Sequence, residues 1–287
     1  MPTIAQAITE GTARLHAAGI DQERRTAGLL LCHVMGIDRT HLLTRSKEQI
    51  DEAQYREYLA LIERRAAGEP LQYLTGHQEF YGLDFIVTPD VLIPRPETEF
   101  LIERIMKLVA EPKKDSPLIV DVGTGSGCIA VTLAKELPSA RLIATDASSA
   151  ALKVARKNAE RHGVHDRIEF LEGDLLAPLA ERRLEGAVDI LASNPPYVNE
   201  DGRQLLQREV RDWEPHEALF GGTDGLNFYR RLLAESPQIL KSEGHVVLEI
   251  GFSQVESISE MVKGSALRLL DITRDLNGIP RTLCLRA

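Results

Sequence analysis

The first 68 residues carry apolar side chains at helical spacing. The pattern recurs in three successive stretches, AQAITEGTARLHAAGI, ERRTAGLLLCHVMGI and EAQYREYLALIERRAAG. Gly36 and Gly68 stand where two of these helices should end, and Asp21 is placed to cap the second. The pattern therefore predicts a small helical bundle. The leucines expected in its core are Leu29, Leu30, Leu31 and Leu59.

The pattern changes after residue 70. The stretch PLQYLTGHQEFYGLDFIVTPD mixes aromatic and β-branched residues with Gly76 and Gly82, which predicts a β-hairpin. A proline-rich turn then opens an amphipathic helix, and Glu97 or Thr98 suits the first turn of that helix. The expected organisation is a helical domain over residues 1–72, a hairpin linker over 73–93 and a larger domain over 94–287.

From residue 117 onward, short apolar strands alternate with amphipathic helices. Strands are expected in PLIVDV, ARLIATD, RIEFLEGD, GAVDILASN and HVVLEIG. This alternation predicts an α/β fold with a doubly wound, mostly parallel sheet and helices on both faces. The last segment, LRLLDITRDLNGIPRTLCLR, predicts two strands joined by an Asn-Gly turn, which form an antiparallel hairpin at the edge of the sheet.

Composition narrows the classes of protein. A hydrophobic fraction of 43% and a charged fraction of 27% are ordinary for a globular protein. No apolar run approaches the roughly 18 residues that cross a bilayer, and the N-terminus lacks the pattern of a secretory signal, so no membrane partner is expected. Cys32, Cys128 and Cys284 are too far apart for a disulfide framework, which fits the reducing cytoplasm. No metal site is expected, since His162 and His165 lack ligand partners at suitable spacing.

The charge balance bears on the substrate. The formal net charge is -9, with 34 basic and 43 acidic residues. Proteins that hold a long nucleic-acid duplex through its phosphates usually present a basic face. The negative net charge therefore favours a protein or small-molecule substrate, and no direct nucleic-acid partner is expected.

A glycine-rich turn between the first strand of the larger domain and the next helix is the first chemical signal. The turn, which follows Asp121 and Val122, consists of Gly123, Thr124, Gly125, Ser126 and Gly127. Glycines allow a sharp turn, and the helix N-terminus offers free N–H groups to a ligand. Cys128 occupies the third glycine position of a dinucleotide fingerprint, and no P-loop lysine follows. Asp146 ends the second strand, where its carboxylate can accept hydrogen bonds from both ribose hydroxyls, and Asp174 ends the third, close to where an adenine would lie. In this order the three features resemble the motifs of class I S-adenosylmethionine-dependent methyltransferases.

The second signal is the sequence Asn194, Pro195, Pro196 and Tyr197 at the end of the fourth strand. In a doubly wound sheet the first and fourth strands flank the point where strand order reverses, and ligands bind there. The Asn194 side chain and the Pro195 carbonyl can each accept a hydrogen bond from an NH2 group, while Pro196 adds no competing N–H. Tyr197 can stack on a planar acceptor. Two acceptors would orient a planar nitrogen and stabilise its growing positive charge. The arrangement resembles that of amino- and amide-N-methyltransferases.

Nearly the whole chain resembles the peptide chain release factor glutamine N5-methyltransferases, the HemK-type family. The resemblance is carried by the glycine-rich turn, by the Asn-Pro-Pro-Tyr sequence and by residues 72–76, 79–82, 93–99, 214–215, 218–219, 221–222 and 224–226. It implies S-adenosyl-L-methionine as cofactor and methylation of the glutamine in the Gly-Gly-Gln motif of translation release factors. It also implies that the helical domain over residues 1–72 recognises the substrate.

The resemblance also implies roles for single residues. The cofactor would contact Gly123, Thr124, Gly125, Ser126, Gly127, Asp146, Asp174, Leu175 and Asn194. The substrate amide would lie against Asn194, Pro195, Pro196 and Tyr197, with Asn194, Pro195 and Tyr197 as the catalytic set. Relatives can carry an aromatic residue where this chain has Leu175. Apart from the resemblance, Arg95 with Glu97 and Glu99 could form either a catalytic acid–base set or a structural pairing that closes the cofactor cleft, and we favour the structural pairing.

Three alternatives remain open at this point. A sister family methylates a glutamine of a ribosomal protein with the same four-residue sequence. Other enzymes with this sequence methylate a base amino group of DNA or RNA. An NAD-dependent oxidoreductase, or a nucleotide-binding domain without chemistry, would also place a glycine-rich turn after the first strand.

Overall fold

In the computed structural model, which describes residues 1–110 and 115–287, the chain divides into two units. The first unit comprises Met1–His77 and Leu206–Trp213, and the second comprises Gln78–Leu205 and Glu214–Ala287. The α-helices, α1 to α11 in chain order, are Ile4–Ala17, Glu23–Met35, Arg39–Thr44, Glu52–Ala66, Leu71–Thr75, Glu99–Ala110, Cys128–Glu136, Ser149–Arg161, Arg208–Trp213, Asn227–Glu235 and Val255–Lys263. The strands, β1 to β9, are His77–Phe80, Leu83–Ile86, Leu118–Val122, Arg141–Asp146, Ile168–Glu172, Val188–Ser193, Leu240–Glu249, Arg268–Arg274 and Pro280–Arg286. None of the described helices combines the length and the hydropathy that crossing a bilayer requires.

The first unit is a bundle of short helices around an apolar core. Gly36 ends α2 in the left-handed conformation, as predicted. The predicted cap at Asp21 is wrong, because α2 begins after Gln22 and no side chain caps it. Leu30 and Leu31 are fully buried, whereas Leu29 and Leu59 are only partly buried.

Helical geometry explains why two of the four expected core leucines lie at the margin. On α2 the buried positions include Ala27, Leu30 and Leu31, a spacing of three and four residues. Leu29 falls between these positions and so turns away from the core. On α4 the buried face includes Tyr58, Leu61 and Ile62, which places Leu59 beside it.

The segment Leu206–Trp213 joins the first unit, although the sequence pattern placed it inside the larger domain. The Arg65 guanidinium forms an ion pair with Glu209 at 2.6 Å. A Cβ atom at Gly68 would lie 3.3 Å from the Nε of Arg208 and 3.5 Å from the indole nitrogen of Trp213. The helices of the first unit therefore depend on a segment far from them in sequence.

The second unit contains a seven-stranded sheet in the order β5-β4-β3-β6-β7-β9-β8. Strands β3 to β7 run parallel, and β9 is antiparallel to both β7 and β8. The predicted fold class, a mostly parallel doubly wound sheet with an antiparallel C-terminal hairpin, is confirmed. Strand order reverses between β3 and β6, so the segments that follow these two strands leave the sheet side by side.

The predicted hairpin consists of β1 and β2. Tyr81 and Gly82 connect the strands with φ of 52° and 72°, as a two-residue turn matched to strand twist requires. The Tyr81 N–H donates to Glu99, and the Ile86 N–H donates to Asn158 at 2.7 Å. These bonds fasten the hairpin to helices α6 and α8 of the second unit.

Candidate active site

The register of the parallel strands brings four chemically important residues to one level. Val122 is paired with Thr145 on one side and with Ser193 on the other, and Ser193 is paired with Leu248. The next residue along each strand is therefore Gly123, Asp146, Asn194 or Glu249. The carboxyl edge of the sheet thus carries a glycine-rich turn, an asparagine and two carboxyl groups in one row.

The glycine loop, residues 123–127, is fixed by its neighbours in the sheet. The N–H groups of Gly123 and Thr124 both donate to the Thr145 carbonyl, at 2.8 and 2.9 Å. The Gly125 N–H donates to Asp146 Oδ2 at 2.8 Å, and the Ser148 N–H donates to Asp146 Oδ1 at 2.9 Å. Burial raises the pKa of Asp146, against the opposing effect of these two N–H donors.

Asp121 ties the glycine loop to helix α7 from below. Its Oδ2 accepts hydrogen bonds from the Thr124 hydroxyl at 2.6 Å and from the Ala130 N–H at 3.2 Å. The side chain is fully buried, and this desolvation raises its pKa to about 7. The acidic residue before the loop therefore supports the backbone turn.

The glycine loop leaves room for a ligand. A Cβ atom added at Gly123 or Gly125 would meet no atom within 4 Å. Beside this space, each Asp146 oxygen accepts one backbone N–H and keeps acceptor capacity for a hydroxyl group. An open glycine turn next to a strand-end carboxylate fits a cofactor that carries a ribose.

Asp174 and Leu175, the other two predicted cofactor residues, have different surroundings. Asp174 is exposed and forms an ion pair with Arg231 at 2.7 Å. Leu175 has a φ of 49°, its side chain is buried in the apolar core, and its carbonyl accepts from the Thr145 hydroxyl at 3.0 Å. Burial of the Leu175 side chain in the core explains why an aliphatic residue suits this position. Their cofactor roles stay predictions.

The NPPY loop, residues 194–197, begins directly beyond β6. The Ser193 hydroxyl donates to the Val122 carbonyl at 2.7 Å, which locks the end of β6 to the end of β3. The Asn194 Nδ2 donates to the Thr98 hydroxyl at 3.2 Å. That hydroxyl donates to Glu249 Oε2 at 2.5 Å, and the Tyr197 hydroxyl lies 3.4 Å from Glu249 Oε1. Both polar side chains of the NPPY loop therefore connect to one buried carboxyl group.

Close backbone packing fixes the rest of the NPPY loop. A Cβ atom at Gly221 would lie 2.5 Å from the Pro196 carbonyl oxygen, and one at Gly225 would overlap the Tyr197 carbonyl oxygen. Gly225 also has a φ of 74°, which side chains disfavour. The Gln254 amide donates to the Tyr197 carbonyl at 3.0 Å. The Gly-Gly and Asp-Gly-Leu sequences downstream are thus part of the support for this loop.

The Pro-Arg-Pro-Glu-Thr-Glu segment pairs differently from the expectation. Arg95 binds the buried Glu214 at 2.5 Å, and Glu214 also accepts from the Ile93 N–H at 3.1 Å. Glu97 lies 3.5 Å from Arg281, and Glu99 accepts from the hairpin turn. The expected mutual pairing of Arg95, Glu97 and Glu99 is wrong, because each reaches a partner from another part of the second unit.

Sequence reasoning missed two residues that the structure brings to the site. Thr98 was expected to favour the start of a helix, but its hydroxyl contacts Glu249 and Asn194 instead. Glu249 is not among the residues that the sequence pattern predicts for the site. Its signal in the sequence is a single carboxylate inside the apolar strand HVVLEIG, since an isolated buried charge requires compensating partners. Within the described ranges, no group of three or more His, Cys, Asp or Glu side chains is arranged to hold a metal ion.

Comparison with known families finds two matches along the chain. Residues 6–76 match the model of the PrmC N-terminal domain, and residues 96–211 match the model of the methyltransferase small domain. The first range corresponds to the helical bundle, and the second contains both the glycine loop and the NPPY loop. The methyltransferase class of the second unit is therefore supported independently of the site geometry.

Full-length relatives extend these matches. The release factor glutamine methyltransferase of Koribacter versatilis is 42% identical over 98% of this chain and 97% of its own length. The enzyme of the same name from Bacillus subtilis is 40% identical over 99% of this chain and 98% of its own. Among solved structures, a methyltransferase from Pyrococcus furiosus superposes with a TM-score of 0.51 at 19% identity, covering 79% of this chain and 96% of that one. The human METTL16 catalytic domain superposes with a TM-score of 0.56 at 17% identity, covering 82% of this chain and 81% of that one. At these low identities the solved structures show a shared fold.

Proposed function

The chain belongs to the family of release factor glutamine methyltransferases, and on this premise we propose that it methylates the Gly-Gly-Gln glutamine of translation release factors. The methyl group comes from S-adenosyl-L-methionine and is transferred to the side-chain amide nitrogen, N5. The observation that carries the proposal is the adjacency of the glycine loop and Asn194 at the ends of neighbouring strands. A cofactor on the loop and an amide against Asn194 would then meet at one edge of the sheet.

The proposed cofactor site uses the glycine loop and Asp146. The residues are Gly123, Thr124, Gly125, Ser126, Gly127 and Asp146, with Asn194 at the reactive end and Asp174 and Leu175 towards the adenine. When bound, the cofactor supplies a methyl group on a positively charged sulfur. Asp146 would accept hydrogen bonds from the ribose hydroxyls, because its two oxygens keep acceptor capacity beside the open loop.

The proposed acceptor site addresses the weak nucleophilicity of an amide. The nitrogen lone pair of glutamine is delocalised, so the amide must be held in one orientation for attack on the methyl carbon. Asn194 Oδ1 and the Pro195 carbonyl each accept one N–H of the substrate amide, which aligns the nitrogen and favours positive charge on it. Pro196 adds no competing donor, and the ring of Tyr197 packs against the planar amide.

The methyl transfer needs no general base from the protein. A nitrogen–carbon bond forms as the carbon–sulfur bond breaks, and sulfur keeps the bonding electron pair. The nitrogen then becomes acidic and releases one proton to water. Tyr197 serves as a packing and hydrogen-bonding group, because desolvation by burial raises its pKa well above the ordinary value and keeps the hydroxyl protonated.

The first unit is proposed to recognise the body of the release factor. Its match to the PrmC N-terminal domain supports this role. We also propose a cytoplasmic location, because the proposed substrate is a factor of translation. If the first unit binds, the intact chain should methylate an intact release factor with kcat/KM about 10-fold or more above that for a short Gly-Gly-Gln peptide. Equal values would show that recognition is confined to the glutamine loop.

Truncation is a poor test of that role. Removing residues 1–75 would also strip Leu206–Trp213 of its packing partners, including the ion pair between Arg65 and Glu209. Loss of activity would then reflect the unpacked segment 206–213 as well as the loss of a binding surface. The comparison of two substrates with the intact protein avoids this problem.

Transfer of labelled methyl to three acceptors tests the reaction itself. The acceptors are unmodified release factor, the same factor with its Gly-Gly-Gln glutamine replaced, and total nucleic acid. The proposal predicts label in the first alone. Label in nucleic acid would favour methylation of a base amino group, and equal label in both release factors would exclude the glutamine as acceptor.

A further inference from the structure

We propose that Thr98 and Glu249 are positioning residues that set which way the Asn194 amide faces. This inference rests on the proposed function, because it concerns how Asn194 presents an acceptor to the substrate. Glu249, Thr98 and Asn194 form a hydrogen-bonded chain, with 2.5 Å between carboxylate and hydroxyl and 3.2 Å between hydroxyl and amide. The direction of donation along this chain decides the orientation of the amide.

The direction follows from the chemistry of the three groups. An ionised carboxylate only accepts hydrogen bonds, so the single proton of the Thr98 hydroxyl is directed to Glu249. The Thr98 oxygen then has only lone pairs to offer Asn194. The group facing it must be a donor, which is the Asn194 NH2 and not its carbonyl oxygen. The carbonyl oxygen of Asn194 is therefore turned away from Thr98 and left to accept from a substrate.

The opposite orientation is unfavourable by the same argument. If the amide were rotated by half a turn, its Oδ1 would face the lone pairs of the Thr98 oxygen. The NH2 group would then take the place where the substrate amide needs an acceptor. Two donors would meet there, and the substrate nitrogen would lose one of its two orienting bonds.

Burial strengthens the hydrogen bonds that link Glu249, Thr98 and Asn194. Thr98 and Glu249 are each 2% exposed, so water does not compete for their hydrogen bonds. The Tyr197 hydroxyl approaches the second oxygen of the same carboxylate, and the Tyr229 hydroxyl donates to the Glu249 backbone carbonyl at 2.9 Å. A carboxylate inside an apolar strand is costly unless it is paired. Its use to orient both polar side chains of the NPPY loop gives a physical reason for its place there.

Two substitutions at one position separate orientation from packing. Thr98→Val keeps the shape and removes the hydroxyl, whereas Thr98→Ser keeps the hydroxyl and removes a methyl group. We expect Thr98→Val to lower kcat for release factor by about 10- to 100-fold, the range for a hydrogen bond to a charged group, with KM and cofactor affinity within about 2-fold. Thr98→Ser should recover most of the lost kcat.

A double-mutant cycle connects the effect to Asn194. In an Asn194→Ala background there is no amide to orient, so adding Thr98→Val should change the residual kcat by less than about 3-fold. Wild-type kcat in Thr98→Val, an equal loss in both backgrounds, or a Thr98→Ser enzyme as slow as Thr98→Val would each overturn the proposal. A purely structural role predicts one of these results.

An NMR measurement, which does not depend on catalytic activity, distinguishes failure of this inference from failure of the proposed function. The NMR signals of the Asn194 side-chain NH2 can be assigned by their absence in Asn194→Ala. One of the two protons should be shifted and protected from exchange in the wild type and in Thr98→Ser, and neither should be in Thr98→Val. Identical signals in all three proteins would refute the orientation, whether or not the wild type methylates a release factor.

Discussion

The glycine loop and the NPPY loop lie at the ends of adjacent strands but are held by different kinds of contact. The glycine loop binds partners near it in sequence, such as Asp146, 21 residues from Gly125, and Asp121, three residues from Thr124. The NPPY loop binds Thr98, 96 residues from Asn194, and Gln254, 57 residues from Tyr197. The proposed cofactor loop is therefore a local motif, whereas the loop proposed to orient the acceptor needs the complete fold.

This difference predicts that substitutions in the two loops affect different steps. Changes around the glycine loop should weaken cofactor binding and leave kcat at saturating cofactor largely unchanged. Changes around the NPPY loop should lower kcat and leave cofactor binding largely intact. The following experiments test this separation in order of expected effect.

The largest effect is expected for Asn194→Ala. Removing one of two groups that orient the amide and stabilise its charge should lower kcat by about 100- to 1000-fold. Cofactor affinity, measured by calorimetry, should stay within about 3-fold. Asn199→Ala is the matched control, because Asn199 lies in the same segment but its side chain accepts from the exposed Gly202 N–H. A fully active Asn194→Ala enzyme would refute the proposed mechanism.

Asp146→Asn should produce the opposite pattern. The substitution keeps the shape but removes the charge that strengthens hydrogen bonds from the Gly125 N–H and from a ribose. Cofactor affinity should fall by about 10- to 100-fold, while kcat at saturating cofactor stays within about 3-fold. If kcat falls and affinity does not, the functional separation of the two loops is incorrect.

A pair of glycines tests the packing around the NPPY loop. Gly225 and Gly278 have nearly equal φ values of 74° and 77°, so alanine should strain both by about 1–2 kcal/mol in the free energy of unfolding. An added Cβ overlaps the Tyr197 carbonyl oxygen at Gly225 but meets nothing within 4 Å at Gly278. Urea unfolding should therefore show a larger loss for Gly225→Ala, and only this variant should lower kcat. Similar kcat values in both variants would show that the NPPY loop tolerates displacement.

The smallest effect concerns pH. Desolvation, with a smaller contribution from the nearby Glu97, raises the pKa of Glu249 from 4.5 to about 7, although Thr98, Tyr197 and Arg281 act in the opposite direction. Because the pKa of Glu249 is higher in the folded protein, protonated Glu249 contributes to the free energy of unfolding. This contribution is complete below pH 4.5 and is lost as the pH rises through about 7. The ionised form orients Asn194, so kcat should rise a few-fold from about pH 6 to about pH 8 while stability falls.

Glu249→Gln provides the control for both trends. An amide at this position does not titrate, so the share of the pH dependence that Glu249 contributes to kcat and to the free energy of unfolding should disappear. The glutamine oxygen can still accept from Thr98, so part of the activity should remain. Unchanged pH profiles in Glu249→Gln would assign the titration to another group.

The contrast between the loops also explains what could be predicted from the sequence. The strands, the doubly wound sheet and the adjacency of β3 and β6 follow from apolar periodicity and from the topology of alternating strands and helices. Gly123 and Asp146 could be predicted as cofactor residues because a turn and a strand end are local features. Thr98 was assigned to helix capping, since the pattern cannot reveal that a strand at residue 249 supplies its partner.

The same limit applies to the first unit and to the charged segment before α6. Periodicity predicted the helices, but the segment 206–213 joins them through contacts such as that between Arg65 and Glu209, which leave no periodic pattern. Arg95 carried a signal of pairing, yet its partner Glu214 is 119 residues away. Long-range pairs of this kind are determined by the fold and are not visible in local sequence.

Mapping the methyl group on a release factor by mass spectrometry tests the central claim most directly. Unmodified factor would be incubated with S-adenosyl-L-methionine and either the wild-type enzyme or Asn194→Ala, then digested and sequenced. We predict one methyl group on the glutamine of the Gly-Gly-Gln motif with the wild type, and a strongly reduced yield with Asn194→Ala. A methyl group on any other residue, or equal yields from the two enzymes, would contradict the account.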